Sequence, residues 1–361
     1  MQSNNNNIHL LLYLVSCGLK FREINPDIIV DISEARWEEI YNLAKEQGVL
    51  AIVFTAIENL PTVTKLPRKI KLQLIVAANA IGNNYQKRYN TATELATAFK
   101  EQGVKTTVLK GLAISTYYPN PSYREFGDFD CFLGDNYEAG NCIAEKLGAK
   151  VDRDYYRHSH IFYKNQMVEN HQFCVGIRGS RKMKEFEKHL QHIMHNDTGY
   201  IDDGNTLIKP SCDFNALFLT SHAMTHFLVE GIKLRHICDW AMLLHHEQNN
   251  IDWLRFYHWT DRLHYTRFAN TITSIAHTYL GLEIVNSQIK QECKYCSSIL
   301  NDIFQSNSIF NKGYSVWHSR LISIKNRLLS LWKFHKIYQQ SATKTILVQV
   351  WGFIFDRNPK L

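Results

Sequence analysis

Hydrophobic positions near the start of the chain recur every three or four residues, as in SEARWEEIYNLAKEQGVL from Ser33. This spacing predicts amphipathic helices, with Ser33 as the cap of one helix and Gly48 at its end. The same periodicity returns at about residue 211 and continues nearly to the C-terminus, with two strong helical segments around Gly231. The pattern therefore predicts helical regions at residues 1–89 and 209–361.

Between these regions, residues 90–208 show a different pattern. An amphipathic helix at 91–103 leads into a β-branched strand, VKTTVLK, and then into a short helix from Gly111 to about Tyr118. A second strand is predicted at 128–133. After another helix, two strand-like runs at 159–164 and 166–175 are separated only by Asn165, which favours a hairpin. The predicted fold class is α+β, with a mixed sheet flanked by helical regions.

Composition narrows the class of protein. With 45% hydrophobic residues, the 361-residue chain can bury a substantial core, and a net charge of +7 favours an anionic partner. The eight cysteines are scattered, which argues against a disulfide framework and predicts a cytoplasmic location. The apolar stretch at 8–18 has no basic residue before it, unlike an export signal, and no run reaches the roughly 18 to 20 apolar residues of a membrane span.

Two carboxylates stand out in the second predicted strand, DFDCFL, which lies within the stretch VLKGLAISTYYPNPSYREFGDFDCFLGD. Residues two apart on a strand point to the same face, so Asp128 and Asp130 should lie side by side, while Phe129 and Cys131 point the other way. Adjacent carboxylates repel each other unless a cation lies between them, and Mg²⁺ suits such oxygen ligands. The alternative is an edge strand with one solvated polar face.

Residues earlier and later in the chain could complete a site for Mg²⁺ and a phosphate. Lys110 and Gly111 end the first strand at a helix start, where backbone N–H groups and a lysine could hold a phosphate. Glu169 is the best candidate for a third acid, because alternation places it with His171 on one face of a neighbouring strand. The alternative for Glu169 is an ordinary surface residue of the strand.

The segments LKG, YP, YREFGDFD and VENH resemble, in this order, the uncharacterised nucleotidyltransferase family of bacterial proteins, which has a DNA polymerase β-like fold. The helical segment SHAMTHFLVEGIKLRHICDWAMLL is similar to that family's H-x3-H and R-x3-D helices. The residues concerned are His222, His226, Arg235 and Asp239.

The resemblance implies that Asp128, Asp130 and Glu169 are catalytic and bind Mg²⁺, with two ions expected and Glu169 as a possible base. It also implies an NTP substrate, such as ATP, which would transfer its nucleoside monophosphate to an acceptor hydroxyl of a small molecule, a protein or an RNA. Lys110 and Gly111 stand where related enzymes carry a Gly-Ser pair that grips the triphosphate. Arg124 and His171 complete the predicted nucleotide-binding set.

Other features leave a second hypothesis open, a non-catalytic nucleotide- or nucleic-acid-binding scaffold that retains the fold. His222 and His226 are interpreted as packing residues that join the helical and catalytic domains, and Arg235 with Asp239 as a helical ion pair. From Asn311 onward, nine lysines and arginines alternate with aromatic residues, a mixture that could contact RNA or an anionic membrane. The alternative is a pair of amphipathic helices with core aromatics and solvated lysines.

Overall fold

The computed structural model describes residues 2–58, 60, 66–196, 198–306 and 331–340. The α-helices within these ranges are α1 (Gln2–Gly18), α2 (Glu34–Glu46), α3 (Leu50–Ile57), α4 (Arg68–Glu101), α5 (Gly111–Ser115), α6 (Tyr137–Lys146), α7 (Arg181–Ile193), α8 (Cys212–Val229), α9 (Leu234–Glu247), α10 (Trp253–Leu263), α11 (Thr266–Leu280) and α12 (Cys296–Ser306). Short 3-10 turns lie at Pro26–Ile28, Pro121–Tyr123 and Gly134–Asn136, and a π-helical turn at Lys333–Tyr338. None of the described helices is both long and apolar enough to cross a bilayer.

The described residues group into two compact units. One contains residues up to 75 together with those from 219 onward, and the other contains 76–218, so the boundaries fall inside α4 and α8. The predicted division into 1–89, 90–208 and 209–361 stays a prediction, because compactness does not test whether each range folds alone. The predicted Ser33 cap is confirmed, since its side chain accepts a hydrogen bond from the backbone N–H of Arg36.

The second unit is built on a mixed seven-stranded sheet. Its order is β3-β4-β5-β2-β1-β7-β6, in which β2 runs antiparallel to β1 and parallel to β5. The strands are β1 (Thr106–Leu109), β2 (Phe129–Phe132), β3 (Lys150–Asp152), β4 (His158–Tyr163), β5 (Gln166–His171), β6 (Gly199–Tyr200) and β7 (Leu207–Lys209). Together with the helices, this sheet confirms the predicted α+β fold class.

The β4–β5 hairpin is also confirmed, although its turn has two residues where the sequence suggested one. Lys164 and Asn165 both have positive φ angles, of 49° and 60°. Such a pair of left-handed residues matches the twist of the strands that it connects. The turn fixes the register that places His160 opposite Glu169.

One face of this sheet packs on the core of the unit. Phe129 and Cys131 of β2 and Val168 of β5 are buried in one cluster with Phe99 from the end of α4. Residues alternate along a strand, so burying these side chains directs Asp130, Glu169 and His171 to the opposite face. The predicted alternation of β2 is thus confirmed, but Asp128 lies just before the strand and not within it.

The basic C-terminal segment is described only at 331–340. There Lys333 is buried, its Nζ lies 2.7 Å from a carboxylate oxygen of Asp302, and it donates a hydrogen bond to the backbone oxygen of Phe227. Lys333 is therefore neither solvated nor available to an anionic partner. Of the other basic residues, Lys336 lies in the described stretch. The remaining seven, which lie outside the described residues, are Lys312, Arg320, Lys325, Arg327, Lys344, Arg357 and Lys360.

Candidate functional site

The open face of β2, β5 and β4 carries a block of ionisable side chains, which we call the polar face: Asp130, His158, His160, Glu169 and His171. In the sheet register, Glu169 lies between Asp130 on one side and His160 on the other, while His158 is opposite His171. The sheet thus brings together residues separated by about forty positions in sequence. Of the predicted site residues, Asp130, Glu169 and His171 meet here.

Asp130 is the most completely neutralised acid of this group. Its Oδ1 lies 2.7 Å from Nζ of Lys110 and 2.9 Å from Nε2 of His171. Burial favours the neutral carboxyl, but the charge of Lys110 and the hydrogen bond from His171 outweigh it and hold the pKa of Asp130 well below its ordinary value. Asp130 is therefore a fixed negative charge at neutral pH.

Glu169 uses its two carboxylate oxygens differently. Oε2 lies 3.1 Å from Nε2 of His171, whereas Oε1 faces Nε2 of His160 at 3.6 Å and Nε2 of His158 at 3.8 Å. Burial raises the pKa of Glu169, but the hydrogen bond with His171 and the charges of His171 and Lys110 together outweigh it, and the net shift is downward. With a proton on Nε2, His171 can donate to both Asp130 and Glu169.

Asp128 completes the acidic group from the loop before β2. It is half-buried, and its pKa is raised by burial and then by the negative charges of Glu169 and Asp130. Lys110 and Arg88 counter this effect only in part. The three predicted acids therefore act on one another electrostatically, and burial together with this repulsion keeps the pKa of Asp128 above its ordinary value. Such a site favours the binding of a cation.

Two of the predicted phosphate-binding residues, Lys110 and Gly111, lie at the end of β1, but their contacts are with the protein. Lys110 has a positive φ of 49°, which is strained for a side-chain-bearing residue, and its ammonium group pairs with Asp130. A Cβ on Gly111 would come within 3.0 Å of both Nη1 of Arg124 and the Phe126 side chain. The absence of a side chain at Gly111 thus permits close packing of the loop that contains the buried Arg124. Phosphate binding by Lys110, Gly111, Arg124 and His171 stays a prediction.

His158 and His160 were missed in the sequence analysis. The signal that could have found them is the alternation HSH at the start of the first hairpin strand, which matches the alternation of Glu169 and His171 in the second. The ring of Tyr155 is stacked on that of His158 at 5.2 Å and lies 4.4 Å from that of His160. Burial lowers the pKa of His158 to about 4, so its imidazole is neutral at physiological pH.

A second histidine cluster occurs in the helical unit. The rings of His222 and His226 on α8 are 4.3 Å apart, and that of His236 on α9 lies 5.8 Å from His226. His226 also hydrogen-bonds Glu230, and burial lowers the pKa of His236 to about 3. These contacts support the predicted packing role of His222 and His226 within the helices. A role in joining domains stays a prediction, as does the Arg235–Asp239 ion pair.

Comparison with known proteins identifies the family of this chain. No curated protein and no solved structure gives a significant match to the chain. A family model described as "Uncharacterised nucleotidyltransferase" matches residues 33–281, which is well over half of the chain and includes the whole sheet and α8 to α11. This match agrees with the resemblance that the sequence segments indicated. The chain therefore belongs to the uncharacterised nucleotidyltransferase family.

Proposed function

We propose that this protein is a Mg²⁺-dependent nucleotidyltransferase that moves a nucleoside monophosphate from an NTP to an acceptor hydroxyl. The observation that carries the proposal is the pairing of two acids on neighbouring strands, with Asp128 in the loop directly before one of them. Asp130 and Glu169 are register partners on β2 and β5, and both raise the pKa of Asp128. A group of carboxylates on neighbouring strands is the arrangement expected of a metal-dependent transfer of phosphoryl or nucleotidyl groups.

The donor set fits Mg²⁺. The ligands would be carboxylate oxygens of Asp128, Asp130 and Glu169, which are hard donors of the kind that Mg²⁺ prefers. Asp130 is buried and Asp128 and Glu169 are partly buried, so a bound cation would offset negative charge that is held away from water. When bound, Mg²⁺ supplies charge neutralisation at the phosphates and lowers the pKa of a hydroxyl.

The residues of the chain would contribute positioning and proton transfer. Lys110 and His171 hold Asp130 in one orientation, and His171 also fixes one oxygen of Glu169. In the proposed reaction, the acceptor oxygen forms a bond to the α-phosphorus while the bond from that phosphorus to the bridging oxygen of pyrophosphate breaks. The hydroxyl proton passes to the carboxylate of Glu169, the predicted base.

The test is a calorimetric titration of each NTP, with and without Mg²⁺, into wild-type protein and Asp128→Asn. Asp128 is the preferred position because, within the described part of the chain, it forms no ion pair whose loss would unfold the site. Asp135→Asn is the matched control, since it removes the same charge from an exposed position of the same unit. We expect Mg²⁺-dependent binding of at least one NTP by wild type and Asp135→Asn, and its loss in Asp128→Asn.

Two results would contradict the proposal: no NTP binding by a folded wild-type protein in Mg²⁺, or undiminished binding by Asp128→Asn. Either result would favour the scaffold hypothesis. The geometry currently favours transfer over a scaffold, because Glu169 lies on the same face as Asp130 and does not point away from it. The acceptor would then be sought among small molecules, proteins and RNA with the NTP that binds best.

A further inference from the structure

Three polar atoms on the β4–β5 hairpin form a compact triangle beside the acids. Nε2 of His158 and Nε2 of His160 are 3.1 Å apart, and Oε1 of Glu169 lies 3.8 Å from the first and 3.6 Å from the second. Three atoms with these separations lie on a circle with a radius of about 2.0 Å, close to the length of a metal–imidazole bond. The triangle can therefore surround one metal ion with little movement.

We propose that His158, His160 and Glu169 bind a first-row transition-metal ion of the Zn²⁺ or Co²⁺ type, next to the Mg²⁺ expected at the acids and with Glu169 as a shared ligand. Two imidazoles and one carboxylate on adjacent strands are a recurrent ligand set for such ions, which leave their remaining coordination positions to water or a ligand. Mg²⁺ instead prefers oxygen donors. The donor chemistry thus distinguishes this site from that of the aspartates.

The surroundings of the triangle support metal binding. The side chains of His158, His160 and Glu169 are only 12%, 14% and 13% exposed, so water competes weakly for their ligand atoms. His171 contacts Oε2 of Glu169 and leaves Oε1 directed at the two imidazoles. Carboxylates that bind a metal are usually held in place by a hydrogen bond of this kind.

A phosphate is the other occupant to consider for a histidine cluster. A phosphate at this position would lie against the carboxylate of Glu169, and the negative charge of Asp130 is next to Glu169 in the sheet. Like charges at these distances disfavour an anion and favour a cation. The geometry therefore points to a metal, and phosphate binding becomes an outcome of the test.

The experiment measures Co²⁺ binding to the full chain after metals and EDTA are removed, in excess Mg²⁺ so that Asp128 and Asp130 do not take up Co²⁺. Visible absorption reports Co²⁺ bound to nitrogen and oxygen ligands, and competition with Zn²⁺ gives the relative affinity. His160→Gln and His158→Gln each remove one ligand, whereas His192→Gln removes an exposed histidine on α7 and serves as the control. We expect each ligand variant to weaken Co²⁺ binding at least about tenfold and the control to bind like wild type.

Asp128→Asn separates this proposal from the proposed function. The variant should lose Mg²⁺-dependent NTP binding and still bind Co²⁺, because Asp128 is not a ligand of the histidine site. If wild type binds Co²⁺ through His158 and His160 but binds no NTP, the proposed function fails and the metal site stands. The metal site is overturned if folded wild type binds neither Co²⁺ nor Zn²⁺, if both histidine variants bind Co²⁺ normally, or if inorganic phosphate binds there instead.

Discussion

Glu187 on α7 and Asp130 on β2 are both buried acids of the same compact unit, and they are stabilised in opposite ways. The carboxylate of Glu187 accepts hydrogen bonds from the backbone N–H groups of Cys174 at 2.9 Å and Val175 at 2.8 Å, and from Nε2 of Gln191 at 2.7 Å. Asp130 instead depends on the side chains of Lys110 and His171.

The difference distinguishes a structural acid from a candidate functional one. Backbone donors are fixed by the fold. The carboxylate oxygens of Glu187 are therefore occupied by permanent hydrogen bonds and are unavailable to a ligand. The donors to Asp130 are side chains that can exchange for a ligand, and Asp130 also repels Asp128. Burial of a carboxylate is therefore a weaker sign of function than the kind of donor that compensates it.

The change with the largest expected effect is Asp130→Asn. It should abolish Mg²⁺-dependent NTP binding, a loss beyond the roughly 10- to 100-fold effect of a residue that only supports a ligand. It should also destabilise the protein by about 3 kcal/mol, because Lys110 loses the partner of a largely buried ion pair. Titration calorimetry and urea unfolding measure the two effects. Normal NTP binding by the folded variant would remove Asp130 from the site.

Glu187→Gln should affect stability alone. The amide retains one acceptor oxygen, but its NH2 group faces a backbone N–H that then lacks a partner, so we expect a loss of about 2 kcal/mol in the free energy of unfolding. NTP binding by the folded variant should match wild type. A specific loss of NTP binding without a loss of stability would show that the two kinds of acid are not distinct.

Gln191→Ala tests how much of the stability of Glu187 comes from its one side-chain donor. The backbone N–H groups of Cys174 and Val175 remain, and Gln191 is exposed, so the expected loss is only about 1 kcal/mol. Chemical denaturation measures it beside Glu187→Gln. A loss equal to that of Glu187→Gln would mean that the backbone donors contribute little.

The smallest effect is expected for Asp128→Asn in metal-free protein, and it has the opposite sign. A carboxyl whose folded pKa is raised contributes stability below its unfolded pKa and loses that contribution as the pH rises through the folded pKa. Asn mimics the neutral form, so the variant should equal wild type near pH 3, below the unfolded pKa of 3.8, and exceed it at neutral pH. Because Asp128 is half-exposed and screened, the gain should be only about 0.5 kcal/mol. Unfolding in EDTA across this pH range measures it, and a loss of stability at neutral pH would contradict the repulsion.

Several features of the site were predictable because they depend on local periodicity. Alternation along a strand placed Asp130 opposite the core-facing Phe129, and Glu169 with His171, before any contact was known. The ion pair of Lys110 with Asp130 was not predictable, because the positive φ of Lys110 and the register of β1 and β2 direct it. For this reason the sequence analysis predicted that Lys110 binds a phosphate, whereas the structure pairs it with Asp130.

The sequence by itself determined the helical and strand periodicity, the alternating acids and the family resemblance, because each of these is a pattern of neighbouring residues. Only the tertiary structure decided which strands pair. The parallel pairing of β2 with β5 brought Glu169 to Asp130, and the two-residue turn of the hairpin brought His158 and His160 to Glu169. Register depends on long-range packing and turn geometry, and a shift of one residue would have turned these side chains to the other face.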